Sequence, residues 1–115
     1  MTKVGRFVTD PKVGVYCQIT LDSGEKIMIN HSKGGFEGGI LTLETVKWWG
    51  LGSDTVFTCD LDSPGGKAVM GELLTGAPEV VARATPLGAF VDYVKNCRST
   101  VDVRAKCAAL SRLVE

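Results

Sequence analysis

His31 is the only histidine in the chain, so any mechanism that needs an imidazole near neutral pH, whether of Ser-His or Cys-His type, must run through this one side chain. It opens the stretch HSKGGFEGGI, in which two Gly-Gly pairs bracket Phe36 and Glu37. The other reagents are the thiols of Cys17, Cys59, Cys97 and Cys107. Together they hold enough donors for zinc, but no two cysteines stand at the short C-x-x-C type of spacing that brings ligands together locally. Each falls on the apolar phase of its element, where a neutral thiol packs as a small hydrophobe, and four free cysteines are expected. His31 follows Ile27 and Ile29 onto an apolar face at a strand end, a place where a histidine meets a backbone partner at the rim of a core. Cys17 is its diagonal neighbour on that face, and this pair is the one catalytic dyad the strand register allows.

Two further stretches suggest phosphate chemistry. Asp60-Leu61-Asp62 is a D-x-D pair before a helix start, the arrangement that holds Mg²⁺ for phosphoryl substrates. The competing reading sends Asp60 to solvent and uses Asp62 or Ser63 as a helix cap. Gly65-Gly66-Lys67 resembles the tail of a phosphate loop, but that motif needs Gly where Leu61 stands and Ser or Thr where Ala68 stands. What remains is a generic anion site on exposed N–H groups with Lys67 as counter-charge. The glycines of HSKGGFEGGI lead into a strand and lack a helix N-terminus, so they read as a wide turn with positive φ and Phe36 at its tip as a lid or anchor. No cofactor and no metal are expected.

Aromatic residues outside the core are the second source of function. Tyr16, Phe36, Trp48 and Trp49 offer stacking surfaces of the kind small barrels use for single-stranded nucleic acid. Lys12, Lys26, Lys33 and Lys47 surround them, but Asp22, Glu25, Glu37 and Glu44 are interleaved, so no basic stripe forms. The denser basic stretch, Lys95, Arg98, Arg104, Lys106 and Arg112, flanks a helical apolar face and reads as solvated side chains. Adjacent Trp48 and Trp49 on a strand point to opposite faces, so one of them needs a cover: a helix, a ligand or a partner subunit. Tyr16 and Met28 pose the same question, because they lie opposite Cys17 and Ile29.

The elements that position these groups follow from periodicity. Val13 to Leu21 alternates with the period of a half-buried strand, and Ile27 and Ile29 resume the pattern after the turn Asp22-Ser23-Gly24. With Gly24 in the left-handed position of a three-residue loop, Leu21 faces Glu25, Ile19 faces Ile27, Cys17 faces Ile29 and Val15 faces His31. A two-residue loop would move Ile27 and Ile29 to the wrong face. Ile40 to Trp48 and Thr55 to Leu61 read as two more strands, and Arg6 to Thr9 as an edge strand. The inward phase of Leu41 and Leu43 does not carry cleanly into Val46 and the tryptophans, which suggests a bulge or helical turn there. Ser63-Pro64 and Thr85-Pro86 are helix starts, and Ser99 with Asp102 resembles a capping box. Glu79 to Ala84 reads as a helical turn or a strand. The predicted fold is α+β: an N-terminal antiparallel sheet or partly open small barrel of about four to five strands over residues 4–61, covered by about three C-terminal helices over 63–114, in one domain of 1–115.

Thirteen basic residues balance thirteen acidic ones, so no net field draws the chain to nucleic acid or membrane. No apolar run reaches the length of a signal peptide or a membrane span, and a cytoplasmic protein is expected. The combined expectation is a small non-enzymatic binding or assembly protein, homo-oligomeric through an aromatic face of the sheet. The alternatives are a single-stranded nucleic-acid or nucleotide-binding small β-barrel module, and a small enzyme in which His31 acts with Cys17 or with Asp60 and Asp62.

Overall fold

The computed structural model describes residues 2–12, 14–32, 38–47, 52–76 and 85–114. The expectations for Phe36, for Trp48 and Trp49, and for Glu79 to Ala84 lie outside the described residues. Strands come first: β1 (Lys3–Val4), β2 (Val8–Asp10), β3 (Gly14–Thr20), β4 (Lys26–His31), β5 (Ile40–Val46) and β6 (Ser53–Asp60). Helices α1 (Pro64–Gly76), α2 (Pro86–Val94) and α3 (Thr100–Val114) follow. The strands make one antiparallel sheet in the order β1-β3-β4-β5-β6, with β2 also paired to β3. No pairing among the described residues returns β6 to the first edge, so the sheet is open and not a barrel.

The β3–β4 hairpin has the predicted register, with Ile19 opposite Ile27, Cys17 opposite Ile29 and Val15 opposite His31. Its turn is closed by Gly24 N–H on the Leu21 carbonyl at 2.9 Å and Leu21 N–H on the Glu25 carbonyl at 2.8 Å, with Gly24 at φ 88°. That is a three-residue loop whose last position needs glycine. The inward phase runs on through Leu41, Leu43 and Thr45 of β5 to Phe57 and Cys59 of β6, all buried.

Two irregularities interrupt the sheet, and the first differs from the sequence expectation. Six strands are present among the described residues because the first edge is broken in two. Val4 pairs with Ile19 and Val8 with Tyr16, so three residues on the edge face two on β3, which is a bulge opposite Cys17. The second bulge lies between Leu43 and Glu44 of β5, where Phe57 and Thr55 of β6 are successive partners and Val56 is the extra residue. It lies at the start of the stretch 43–50, where the broken alternation suggests a bulge or helical turn, and its extra residue is on β6.

The helices bury Val69 and Leu73 of α1, Leu87, Phe90 and Val94 of α2, and Val103, Cys107 and Leu110 of α3 in the cluster formed with the sheet's inward residues. Phe57 and Phe90 meet edge to face, with ring centroids 5.5 Å apart. Ser63 caps α1: its Oγ accepts from Gly66 N–H at 3.0 Å and donates to the Asp60 carbonyl at 2.7 Å. Thr85 Oγ1 caps α2 by accepting from Gly88 N–H at 3.0 Å.

The cap of α3 is not the local one predicted. Asp102 Oδ2 accepts from Arg98 N–H at 3.0 Å, and the first helical residue is held by Glu25 from the β3–β4 turn. Glu25 accepts from Thr100 N–H at 3.1 Å, from Thr100 Oγ1 at 2.7 Å and from Ser23 Oγ at 2.8 Å. The Thr100 hydroxyl and N–H, followed by Ser23, hold the Glu25 carboxyl below its ordinary value.

Two tests follow from this packing. A Cβ added at Gly66 would lie 2.1 Å from the Asp60 carbonyl oxygen, whereas one added at Gly71 on the same helix meets nothing within 4 Å. Gly66→Ala is expected to destabilise by about 1–3 kcal/mol and Gly71→Ala to stabilise by about 0.5–1 kcal/mol in urea unfolding. Glu25→Gln should lower the unfolding midpoint at neutral pH. Because the folded carboxyl titrates below the unfolded one, the wild-type advantage is full above the ordinary glutamate range and fades as pH falls through the folded value. Unfolding curves of the two proteins at pH 7 and in acid check this.

Candidate functional site

His31 ends β4 between Val15 and Leu41 and is fully buried. Its Nε2 lies 2.7 Å from the Gly38 carbonyl oxygen. A carbonyl only accepts, so Nε2 carries the proton and donates, which leaves Nδ1 as a bare acceptor in the neutral ring. Nδ1 has no partner among the described residues. The bond to Gly38 is one of several that close the base of the connection after β4. Ser32 N–H donates to the Ile40 carbonyl at 3.0 Å, Ser32 Oγ accepts from Ile40 N–H at 2.8 Å, and Leu61 N–H donates to the Gly39 carbonyl at 2.8 Å. Gly38 and Gly39 both take positive φ there, a conformation that favours glycine. His31 thus anchors a turn from inside the core, and no face of its ring is open to a solute.

Cys17 is diagonal to His31, as the register demands, and is equally buried. Its Sγ donates to the Gly5 carbonyl at 3.3 Å, and burial pushes the thiol up despite that contact. A nucleophilic cysteine needs the reverse, a thiolate held by a cation and reachable from solvent. Cys59, Cys97 and Cys107 are likewise buried free thiols raised by desolvation, Cys107 to about 12.

The acidic pair is used for chain geometry. Asp60 Oδ1 accepts from Asp62 N–H at 2.9 Å, and Asp62 Oδ2 accepts from Gly39 N–H at 3.3 Å. Asp62 therefore ties the glycine turn to the start of α1, and Ser63 is the cap. Among the described residues no three His, Cys, Asp or Glu side chains gather as a metal site would need. Gly65 and Gly66 have a packing reason to be glycine: a Cβ on Gly65 would come within 2.8 Å of Val114 Cα, and Gly66 lies against Asp60. The Gly66 N–H is already taken by Ser63, while Lys67 is exposed beside it.

The outward face of the sheet is different in kind. Val8, Tyr16, Asn30, Thr42 and Thr58 form one cross-strand row, and Gln18, Met28 and Glu44 form the next. Tyr16, Met28, Asn30, Thr42 and Glu44 line a shallow groove of about 460 Å³. Gln18 and Thr58 on this face are exposed, while Tyr16 and Met28 are half-buried by their neighbours. Of the four aromatic residues singled out by sequence, Tyr16 is the one among the described residues. Among the described residues of this face Tyr16 is the one ring, and Lys26 and Glu44 put one charge of each sign on it. No described helix is long and apolar enough to cross a membrane.

His31→Ala is expected to cost about 2–3 kcal/mol in urea unfolding, through the void it leaves and the orphaned Gly38 carbonyl. A loss below about 0.5 kcal/mol, the range of surface substitutions, would contradict a ring buried in the core. Comparison with protein-family models, with curated proteins and with solved structures finds no match to this chain.

Proposed function

We propose that this chain is a non-catalytic binding or assembly module that forms a homo-oligomer through the outward face of its sheet, around Tyr16 and Met28. The observation that supports this reading is the contrast between the two faces. The inward one absorbs the sole imidazole and all four thiols into a packed core. The outward one presents the half-buried Tyr16, Met28 and Val46 among Gln18, Asn30 and Thr42. Aromatic and methionine side chains ringed by polar ones are the composition of interface centres.

Size and charge favour a second copy as the occupant. Strands β3 to β6 hold six to eight residues each. At about 3.3 Å per residue and about 4.8 Å between strands, they project a face of roughly 400 Å², which side-chain relief raises toward the ~800 Å² per partner of a standard interface. The chain's balance of charges means that two copies do not repel at long range. Lys26 and Glu44 place both signs on the face, so one copy offers each charge a counterpart on the other.

Sedimentation velocity across the micromolar range tests the reading. The wild type is expected to associate reversibly, and Met28→Asp to weaken association by about tenfold or more, equal to about 1.4 kcal/mol. Lys67→Glu on α1 should leave association unchanged. A wild type that stays monomeric at high micromolar concentration would overturn the proposal.

A further inference from the structure

A second and larger recess lies at one end of the sheet. It has a volume of about 870 Å³ and opens where the β3–β4 turn, the last residues of β5 and the first turn of α3 converge. Three cations, Lys26, Lys47 and Arg104, stand on its wall against one carboxylate, Glu25. In a chain whose charges balance overall, this positive excess is local.

The single carboxylate does not neutralise it. Glu25 spends its oxygens on Ser23 Oγ and on the N–H and hydroxyl of Thr100, so the N-terminus of α3 is already satisfied from within the chain. Arg104 acts on Glu25 only through space, after those hydrogen bonds and desolvation. Lys47 approaches Asp54 at 3.4 Å, but both side chains are more than half exposed, and such a pair is weak in water. Lys26 and Arg104 make no direct hydrogen bond or ion pair among the described residues. Thr45 also lines the recess; it is buried, and its hydroxyl donates to the Asp54 carbonyl over a long 3.4 Å.

We infer that this recess binds a small oxyanion carrying two negative charges, with Arg104 as its forked donor and Lys26 and Lys47 as point charges. A guanidinium presents parallel N–H groups that match two oxygens of one phosphate or carboxylate, and the ammonium groups add charge without fixing direction. Thr45 supplies a hydroxyl at the inner wall, and Val46 an apolar surface for the uncharged part of the ligand. The volume is that of a small-molecule site. Phosphate monoesters and dicarboxylates share the required chemistry. Lys26 and Val46 border both the recess and the outward sheet face, but Arg104 stands on α3, so Arg104→Ala removes the forked donor without altering the proposed association surface, and the two readings fail separately.

Backbone amide NMR titrations with inorganic phosphate and with malonate, at constant ionic strength against chloride, test the site. Saturable shifts are expected at Lys26, Thr45, Thr100 and Arg104, and Arg104→Ala is expected to weaken the affinity by about tenfold or more. Lys67→Ala should bind as the wild type does. The tighter of the two probes identifies the headgroup as phosphate or dicarboxylate. Arg104 is exposed on its helix, and a far-UV melt confirms that the variant is folded. Shifts that never saturate or that chloride reproduces, or an Arg104→Ala protein that binds like the wild type, would overturn the inference.

Discussion

The turn Asp22-Ser23-Gly24, with Gly24 at φ 88°, decides which side chains of β3 and β4 share a face, and the remaining contacts are built on that choice. Shortening it by one residue would turn Ile27 and Ile29 outward and Lys26 and Met28 inward. Each isoleucine would then forgo about 1.5–3 kcal/mol of burial, and a lysine would need a counter-charge inside. With the turn as it is, Ile29 aligns with Leu43 and then Phe57, and Phe57 receives Phe90 of α2. The same turn sends Glu25 to the first residue of α3. One local backbone conformation thereby sets the floor of the core and fastens the last helix to it.

That choice also determines where chemistry is available. Inward phase at β4 carries His31 with Ile27 and Ile29, so the only imidazole is enclosed and bonded to Gly38. Inward phase at β3 and β6 does the same to Cys17 and Cys59. Burial disfavours the charged forms that nucleophiles and metal ligands use. Among the described residues of β3 and β4, the side chains of opposite phase, Tyr16, Met28 and Lys26, keep contact with solvent. The proposed association and anion binding use groups of this second kind, on the outward face and in the cationic recess.

Local rules made much of this legible. Alternation and turn chemistry were sufficient for the hairpin register and for His31 at the inward rim of β4. Ser63-Pro64 and Thr85-Pro86 marked two helix starts whose caps have the expected geometry. What the sequence did not reveal arises from contacts between distant segments. Nothing near Ser99 announces that Glu25, seventy-five residues earlier, will receive the Thr100 N–H, and the local capping-box pattern pointed to Asp102 instead. Gly65-Gly66 resembled a phosphate loop because glycine permits either close backbone approach or anion binding, and only the position of Asp60 and Val114 separates the two. The bulge opposite Cys17 has no residue signature, and the broken alternation after Leu43 signals an irregularity without showing that the extra residue is Val56 on β6, since an extra residue in a strand is defined by its partner strand. The cationic recess was hidden for the same reason. Lys26, Lys47 and Arg104 are unremarkable charges in their own segments, and they become a set only when the β3–β4 turn brings α3 against the end of β5.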